Sequence, residues 1–467
     1  MTTSLLAGPV VSFEEADAFL RDTVDLAPPG APHCTLAGTM EDYRRAGLPP
    51  GTLVAIGLPN GRDLLTQFFA AVLTGLVPLL VNPSTPAGRV TELARHLNIG
   101  AYVTTERRAH AFGADRTYPA GTHRLVRTAT REDHPEQYEP GDVVMLTSGT
   151  SGMFSACVNR LDALLRNARR HNLATGVRGG DTVLVILPLY YSYALVAQAL
   201  SALAVGARLV IGGPPFHAEG YRAAIAAHGI DVSSITPTLA RQLVDDAVPL
   251  PGRLRTLTVG GDRLAGAQVG ELLALHDGDL YLTYGLTEAG PRVATLAAHH
   301  EPPERWESAG LPLPGVHVGL RDVREDGVGE LVVESDTVIR RKAGQVRGRP
   351  LPAPGRLATG DLFSIDAAGY LHFAGRLRDF VVVRGEKVSL HSMKRAAESL
   401  PGVVRAHTVV TDGEGGDGPA VELVVEAVDP AGTTADAVTG RLGRLLMPGE
   451  RPHRVRVVAT DTSHFHK

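Results

Sequence analysis

The sequence predicts an α/β protein with three parts: a large N-terminal domain of α/β layers built on one parallel sheet covered by helices, a small β-barrel-like subdomain, and a small, mobile α+β C-terminal domain. Three observations carry this reading. Strand-like and helix-like runs alternate from about residue 60 onward, short strands separated by turn signals take over after about Gly315, and the segment beyond Leu377 mixes both kinds. At roughly 100–200 residues per domain, 467 residues leave room for two to four folding units.

In chain order, residues 64–73 are spaced as a helix, 76–81 as a strand, 82–86 as a turn and 89–97 as a second helix, which is βαβ grammar. The order returns with strands at 181–187, 207–211 and 232–235 and helices at 194–204 and 221–227. Residues 316–320, 329–333, 362–365 and 370–373 then read as short strands, with Asp326-Gly327 and Ala368-Gly369 marking turns. The last part reads as strand 380–383, helix 390–399, strands 406–410 and 420–428, helix 435–446 and strand 454–458. The boundary falls at Leu377–Arg378, giving domains 1–377 and 378–467.

Composition excludes several classes of function. Hydrophobic residues are 44%, charged residues 21% and the formal charge is −4, which fits neither a disordered chain nor a basic nucleic-acid binder. Cys34 and Cys157 are too few for a disulfide framework or a Cys-rich zinc site, and the first residues lack a basic stretch ahead of a signal-peptide core, so the expected compartment is a reducing cytoplasm. No apolar run reaches the ~18 residues of a membrane span; 68–81 is interrupted by Thr74, Gly75 and Pro78.

The first segment with chemistry is 143–152, VVMLTSGTSG, an apolar strand entering a loop of small and hydroxylated residues. Glycines there let backbone N–H groups converge on phosphate oxygens, and Thr147, Ser148, Thr150 and Ser151 add hydroxyl donors. The G-x-x-x-x-G-K-[ST] spacing is absent, so the segment by itself also fits a surface turn. Tyr284 offers a flat ring, Thr287 a hydroxyl and Glu288 a hard oxygen ligand; a core tyrosine and a solvated glutamate are the alternatives. Asp361 and Arg376 can hydrogen-bond a sugar or form a structural ion pair. His299–His300 and His464 with His466 lack metal-ligand spacing.

The TSGTSG loop resembles the phosphate loop of the adenylate-forming superfamily, which holds acyl-CoA synthetases, peptide-synthetase adenylation domains and firefly luciferase. Tyr284-Gly285-Leu286-Thr287-Glu288 is similar to its YGxTE and Thr359-Gly360-Asp361-Leu362 to its TGDL. Gly375-Arg376-Leu377-Arg378-Asp379, with Arg384-Gly385-Glu386-Lys387-Val388 after it, resembles its GRxxD…xGxxV. The four motifs stand in the family's order, the resemblance covers about residues 51–467, and it is closest to acyl- or aryl-CoA ligases.

The resemblance implies a mobile C-terminal domain and a set of roles. Thr147, Ser148, Gly149, Thr150, Ser151, Gly152, Gly261, Asp262, Tyr284, Asp361 and Arg376 would bind nucleotide, with Thr287, Glu288 and Lys467 catalytic and Glu288 a ligand of Mg²⁺. Tyr191, Val196, Thr236, Gly260, Gly285 and Gly290 would line the acyl pocket, Arg378 would be the hinge, and Gly385 would lie beside the channel for CoA. The co-substrates implied are ATP or acyl-AMP, CoA and a carboxylic acid; residues 188–200 hold no carboxylate, which favours an acid without an α-amino group. Tyr190, Tyr191 and Tyr193 equally fit core packing.

Two departures touch adenylation. Phe154 and Ser155 stand where relatives carry proline and lysine, and His466 and Asp461 replace the glycine and proline around the terminal Lys467. Loss of one electrostatic stabiliser commonly costs ~3 kcal/mol. The expectation is therefore an acyl-CoA ligase weak in adenylation that takes a preformed acyl-AMP from a separate adenylating enzyme. The competing readings are a complete ATP-dependent synthetase and acyl transfer to a carrier protein, met by Arg441, Arg444, Arg451, Arg454 and Arg456. A further one is a non-catalytic acyl-nucleotide binder. The Ala-, Arg- and Gly-rich style points to bacterial specialised metabolism.

Overall fold

The computed structural model describes residues 10–26, 33–110, 117–146, 155–344, 351–377, 380–383, 386–412, 419–427, 429–444, 446 and 451–459. It divides into two compact units: Met1–Gly319 with Val332–Ala358 and Ala367–Leu371, and Leu320–Leu331 with Thr359–Asp366 and His372–Lys467.

The first unit holds two eight-stranded sheets where the sequence suggested one. The first runs in the order Val24–Asp25, Arg208–Ile211, Thr182–Val185, Val232–Ile235, Thr256–Gly260, Asp279–Gly285, Arg292–Ala297 and Leu311–Pro312. Its first six strands are parallel and the last two antiparallel. The second runs Arg341–Gly344, Ser155–Arg160, Asp142–Leu146, Val77–Leu80, Leu53–Ile56, Ile99–Thr104, His123–Arg127 and Thr117–Ala120.

Central strands such as Leu53–Ile56, Val77–Leu80 and Thr182–Val185 are buried on both faces because both faces are covered. In Leu53–Ile56, Val54 and Ile56 join the core between the sheets while Leu53 and Ala55 join the outer one, following the two-residue period. Val183 and Val185 likewise face the shared core, and Leu184 the opposite side. The shared core is filled by helices Phe13–Asp22, Arg62–Leu73 and Leu161–Thr175. Eight consecutive residues of Arg62–Leu73, from Leu64 to Ala71, are buried, as expected of a helix enclosed all round. Its Phe68 and Phe69 each stabilise by about 1.5–3 kcal/mol through burial. Outside, Ala218–His228, Pro237–Asp246 and Gly266–Leu275 cover the first sheet and Ala87–Leu97 the second.

The N-terminal segment adds two capped helices. Ser12 and Glu15 form a reciprocal capping box at Phe13–Asp22, and Thr35 caps Leu36–Arg45. The helix expected at 194–204 begins two residues earlier and is interrupted: Leu195–Leu200 forms a wide π-type turn between Ser192–Ala194 and Ser201–Val205.

The barrel-like subdomain is a four-stranded sheet ordered His317–Arg321, Gly329–Glu334, Arg356–Ile365 and Leu371–Arg376. The C-terminal part of the second unit has a hairpin, Phe380–Val383 with Glu386–Ser389, then helix Leu390–Glu398. A three-stranded sheet of Val403–Asp412, Pro419–Ala427 and Arg454–Ala459 follows. Met393, Leu423, Val425, Val438 and Leu442 form its core. Helix Ala435–Leu442 stops short of the expected residue 446. No helix among the described residues is long and apolar enough to cross a membrane.

Candidate active site

Adjacent parallel strands Thr256–Gly260 and Asp279–Gly285 both end at glycines, at the carboxyl edge where open α/β sheets bind ligands. A Cβ on Gly260 would lie 2.3 Å from Thr283 Oγ1, and one on Gly285 would lie 1.8 Å from the Pro291 carbonyl oxygen, so neither position admits a side chain. A register shift separates Tyr284 from Gly285 and turns the chain out of the sheet. Tyr284 is half-buried at that edge, while Gly261, with φ +93°, and Asp262 are exposed beyond Gly260.

The turn that follows carries Thr287 and Glu288. Thr287 Oγ1 lies 2.9 Å from Ser192 Oγ, and the Glu288 carbonyl accepts from Ile339 N–H at 3.0 Å. Thr337 Oγ1 donates to the Ala289 carbonyl at 3.1 Å, and a Cβ on Gly290 would strike the Thr337 backbone. The turn is thus clamped from the segment 335–339. The Glu288 carboxylate lies 3.2 Å from Lys342 Nζ, both side chains being largely buried at 14% and 19% exposure. Thr287 and Glu288 offer only oxygen ligands, the donor set of Mg²⁺, which is held through one or two carboxylates plus substrate phosphates.

Sequence reasoning missed Lys342. Its strand pairs antiparallel with Ser155–Arg160, placing Lys342 opposite Cys157 and Gly344 opposite Ser155. A signal was present: the chain has four lysines, and Lys342 is the only one ahead of residue 387. Burial pushes the neighbouring Cys157 thiol well up, with Glu288 adding to the shift, so it stays neutral.

On the acyl side the residues named from the sequence separate. Tyr191 is 52% exposed and stacks at a tilt on Tyr190, Val196 is fully buried in the core between the sheets, and Thr236 precedes helix Pro237–Asp246. Tyr193 is buried, its hydroxyl 2.9 Å from Thr258 Oγ1. Over its ring, 4.2 Å from the centroid, sits the Arg292 guanidinium, 2% exposed, which also donates to Thr283 Oγ1. Arg292 Nε has no hydrogen-bond partner, and no carboxylate pairs with Arg292 among the described residues. Burial pulls its pKa below the usual arginine value.

In the second unit Asp361 and Arg376 are brought together at 3.0 Å, Asp361 buried and Arg376 exposed. The turn before Asp361 is held by Glu330, which accepts from Gly360 N–H at 2.9 Å, and by Thr359 Oγ1, which donates to the Leu331 carbonyl at 2.9 Å.

Thr147, Ser148, Gly149, Thr150, Ser151, Gly152, Phe154, Arg378, Gly385 and Lys467 lie outside the described residues. The strands bracketing the loop, Asp142–Leu146 and Ser155–Arg160, pair antiparallel with Leu146 opposite Ala156.

Two helix-covered sheets, glycine-containing turns at parallel strand ends, a small β subdomain and a small α+β unit form the architecture of adenylate-forming enzymes. The chain belongs to the AMP-binding enzyme family, whose model matches residues 37–341. It is 25% identical to a salicylyl-CoA synthase / salicylate adenylyltransferase of a Streptomyces species over 82% of this chain and 76% of that protein. It is 25% identical to a 2-succinylbenzoate–CoA ligase of Bacillus cereus over 84% of this chain and 82% of that protein. The fold matches o-succinylbenzoate CoA synthetase from Bacillus subtilis, solved with its acyl-adenylate intermediate, at a TM-score of 0.76 and 20% identity over 96% of this chain and 90% of that one. It also matches the amide bond synthetase McbA from Marinactinospora thermotolerans, at a TM-score of 0.72 and 21% identity over 97% and 99%.

Proposed function

We propose that this enzyme joins a carboxylic acid to the thiol of CoA through an acyl-adenylate. The acid carboxylate attacks the α-phosphorus of ATP and expels pyrophosphate; the thiol, losing its proton, then attacks the acyl carbon and expels AMP. The observation that carries this reading is the clamped Thr287–Glu288 turn at the carboxyl end of strand Asp279–Gly285, paired to Lys342. The names of the relatives, a salicylyl-CoA synthase and 2-succinylbenzoate–CoA ligases, support the same reaction.

Thr287 Oγ is set to donate to the α-phosphate, and Asp361 with Arg376 to hold the ribose. Mg²⁺, when bound, neutralises phosphate charge, and Glu288 with Thr287 would hold it. In this proposal the functional domains would be 1–377 and 378–467, with Arg378 as the hinge and Gly385 beside the thiol channel, where a side chain would obstruct a narrow arm. The buried Arg292, lacking an acidic partner, favours an acid with a second anionic or strongly accepting group.

Adenylation is the weaker half-reaction in this proposal, because Ser155 replaces the loop lysine. A specific observation favours a second reading, a complete ligase: Lys342 stands on the strand beside Ser155 and carries the missing charge. A carrier protein as thiol donor draws less support. Arg454 and Arg456 lie 3.7 Å and 3.4 Å from Glu422, and Arg451 donates to the Gly443 carbonyl at 2.7 Å, so these arginines have partners within the chain.

The test is to supply either acid, ATP-Mg²⁺ and CoA or preformed acyl-AMP and CoA, and to follow acyl-CoA by mass spectrometry. Weak adenylation predicts that the second route is about 10²-fold faster. Comparable rates establish the complete ligase. No thioester by either route across a panel of aryl and acyl acids overturns both and leaves a nucleotide-binding protein without turnover.

A further inference from the structure

Away from these strand ends, three side chains that the proposed reaction does not use converge at the N-terminus of the enclosed helix Arg62–Leu73. One ligand atom from each of Cys34, Asp63 and His123 lies within 4.8 Å of the other two. They come from three separate segments: Cys34 precedes helix Leu36–Arg45, Asp63 stands in the first turn of Arg62–Leu73, and His123 opens strand His123–Arg127. His123 Nε2 is 3.0 Å from Asp63 Oδ2, and Cys34 N–H donates to Asp63 Oδ1 at 3.0 Å.

We propose that Cys34, Asp63 and His123 bind a divalent transition metal, with zinc the best fit, as a structural clamp on the N-terminal helices. The donor set decides the class of metal. A thiolate, an imidazole and a carboxylate together suit Zn²⁺, whereas Mg²⁺ and Ca²⁺ take oxygen ligands. Metal–ligand bonds of about 2.0–2.3 Å in a tetrahedron put ligand atoms roughly 3.4 Å apart. The observed separations, from 3.0 Å to within 4.8 Å, bracket that spacing.

The surroundings favour a metal-bound sulfur. Thr122 N–H donates to Cys34 Sγ at 3.2 Å, Thr122 Oγ1 lies 3.2 Å from the sulfur and Gln67 Nε2 3.8 Å from it, so polar groups surround the sulfur. The Thr122 hydroxyl donates to Asp63 Oδ2 at 3.3 Å, the kind of outer hydrogen bond that orients a ligating carboxylate. A Cβ on Gly121 would lie 2.5 Å from Cys34 Sγ, so the backbone passes where only glycine fits. Cys34 is 4% exposed, which shields the sulfur and leaves it no access to a substrate, while His33 Nδ1, 3.2 Å from Asp63 Oδ1, marks the open side of the site. An ion here ties the segment entering helix Leu36–Arg45 to the central helix and to the second sheet.

The test uses the full chain purified without chelator or immobilised metal. Elemental analysis after dialysis should give about one zinc per chain. Exchange with Co²⁺ should give tetrahedral visible bands and a thiolate-to-cobalt charge-transfer band. Cys34→Ser should abolish that band, His123→Gln should weaken Co²⁺ binding by more than about 10-fold, and Cys157→Ser should keep the band. Absence of both stoichiometric metal and a charge-transfer band in the unsubstituted protein overturns the site, as does a band that survives Cys34→Ser. If Cys34→Ser does not fold, the unsubstituted protein still decides: chelation must lower its thermal midpoint, and an unchanged midpoint overturns the clamp.

Discussion

Lys342 Nζ lies 3.2 Å from the Glu288 carboxylate, an ion pair joining the turn after strand Asp279–Gly285 to the strand that runs beside Ser155. Each partner has a second use in the proposed reaction. Glu288 would be an oxygen ligand for the cation that accompanies a nucleotide, and Lys342 would supply an ammonium from the strand paired with Ser155–Arg160. A nucleotide with its cation can therefore replace one ion pair by two, carboxylate to metal and ammonium to phosphate, with little net cost in buried charge.

Lys342→Met separates charge from packing. The ATP-dependent route should fall by about 10²-fold, roughly 3 kcal/mol, while transfer from preformed acyl-AMP to CoA changes by less than about 3-fold. Pyrophosphate exchange measures the first and thioester formation the second. Equal losses on both routes, or a matching drop in thermal midpoint, would assign Lys342 to the fold instead of the phosphates.

Arg292 yields a prediction about the acid. Its guanidinium is buried against Tyr193 and Thr283 with no carboxylate partner among the described residues. A charged hydrogen bond to substrate contributes about 1.5–3 kcal/mol, so Arg292→Met should lower kcat/KM by roughly 10- to 100-fold for acids bearing a second anionic group. Acids with a plain aryl or alkyl chain should be unaffected or improved. The thermal midpoint should hold or rise, because a methionine removes a buried charge that lacks a counter-ion. Uniform loss across the whole panel of acids would refute a role in selection.

How much of this was legible in the sequence depends on distance along the chain. Strands Val232–Ile235 and Phe380–Val383 lie where the sequence places them, since a short apolar run between turn residues defines itself locally. The Tyr284–Glu288 and Thr359–Leu362 motifs stand out because their residues and spacing sit in one segment. The π-type turn at Leu195–Leu200 was not: its residues are as apolar as those of any buried helix, and tertiary packing sets the wider turn. Lys342 and Glu288 meet only in the folded chain, as do Cys34, Asp63 and His123, which come from three separate elements. Spacing within a segment carries no trace of either. Two sheets were read as one because both have the same strand–helix grammar and nothing local tells which sheet a strand joins.

His171 gives the prediction with a defined pH window. It lies inside helix Leu161–Thr175, 1% exposed, and its Nδ1 has no hydrogen-bond partner. Burial, with the Arg292 charge adding to it, holds its pKa down to about 3 against the usual 6.5. The native state thus keeps His171 neutral while the unfolded chain takes up a proton below about pH 6.5. Stability falls as pH drops from about 6.5 toward about 3, with the slope of one proton per chain, and is unaffected by this group above that window. His276, also lowered by burial, acts in the same direction. Replacing His171 by leucine removes one of these protons and keeps an apolar side chain in the core. Urea midpoints measured from about pH 7 to pH 4.5 should decline less steeply for His171→Leu than for the unsubstituted protein. Parallel curves would mean that His171 protonates without penalty in the folded chain and that the buried positive field of Arg292 does not reach it.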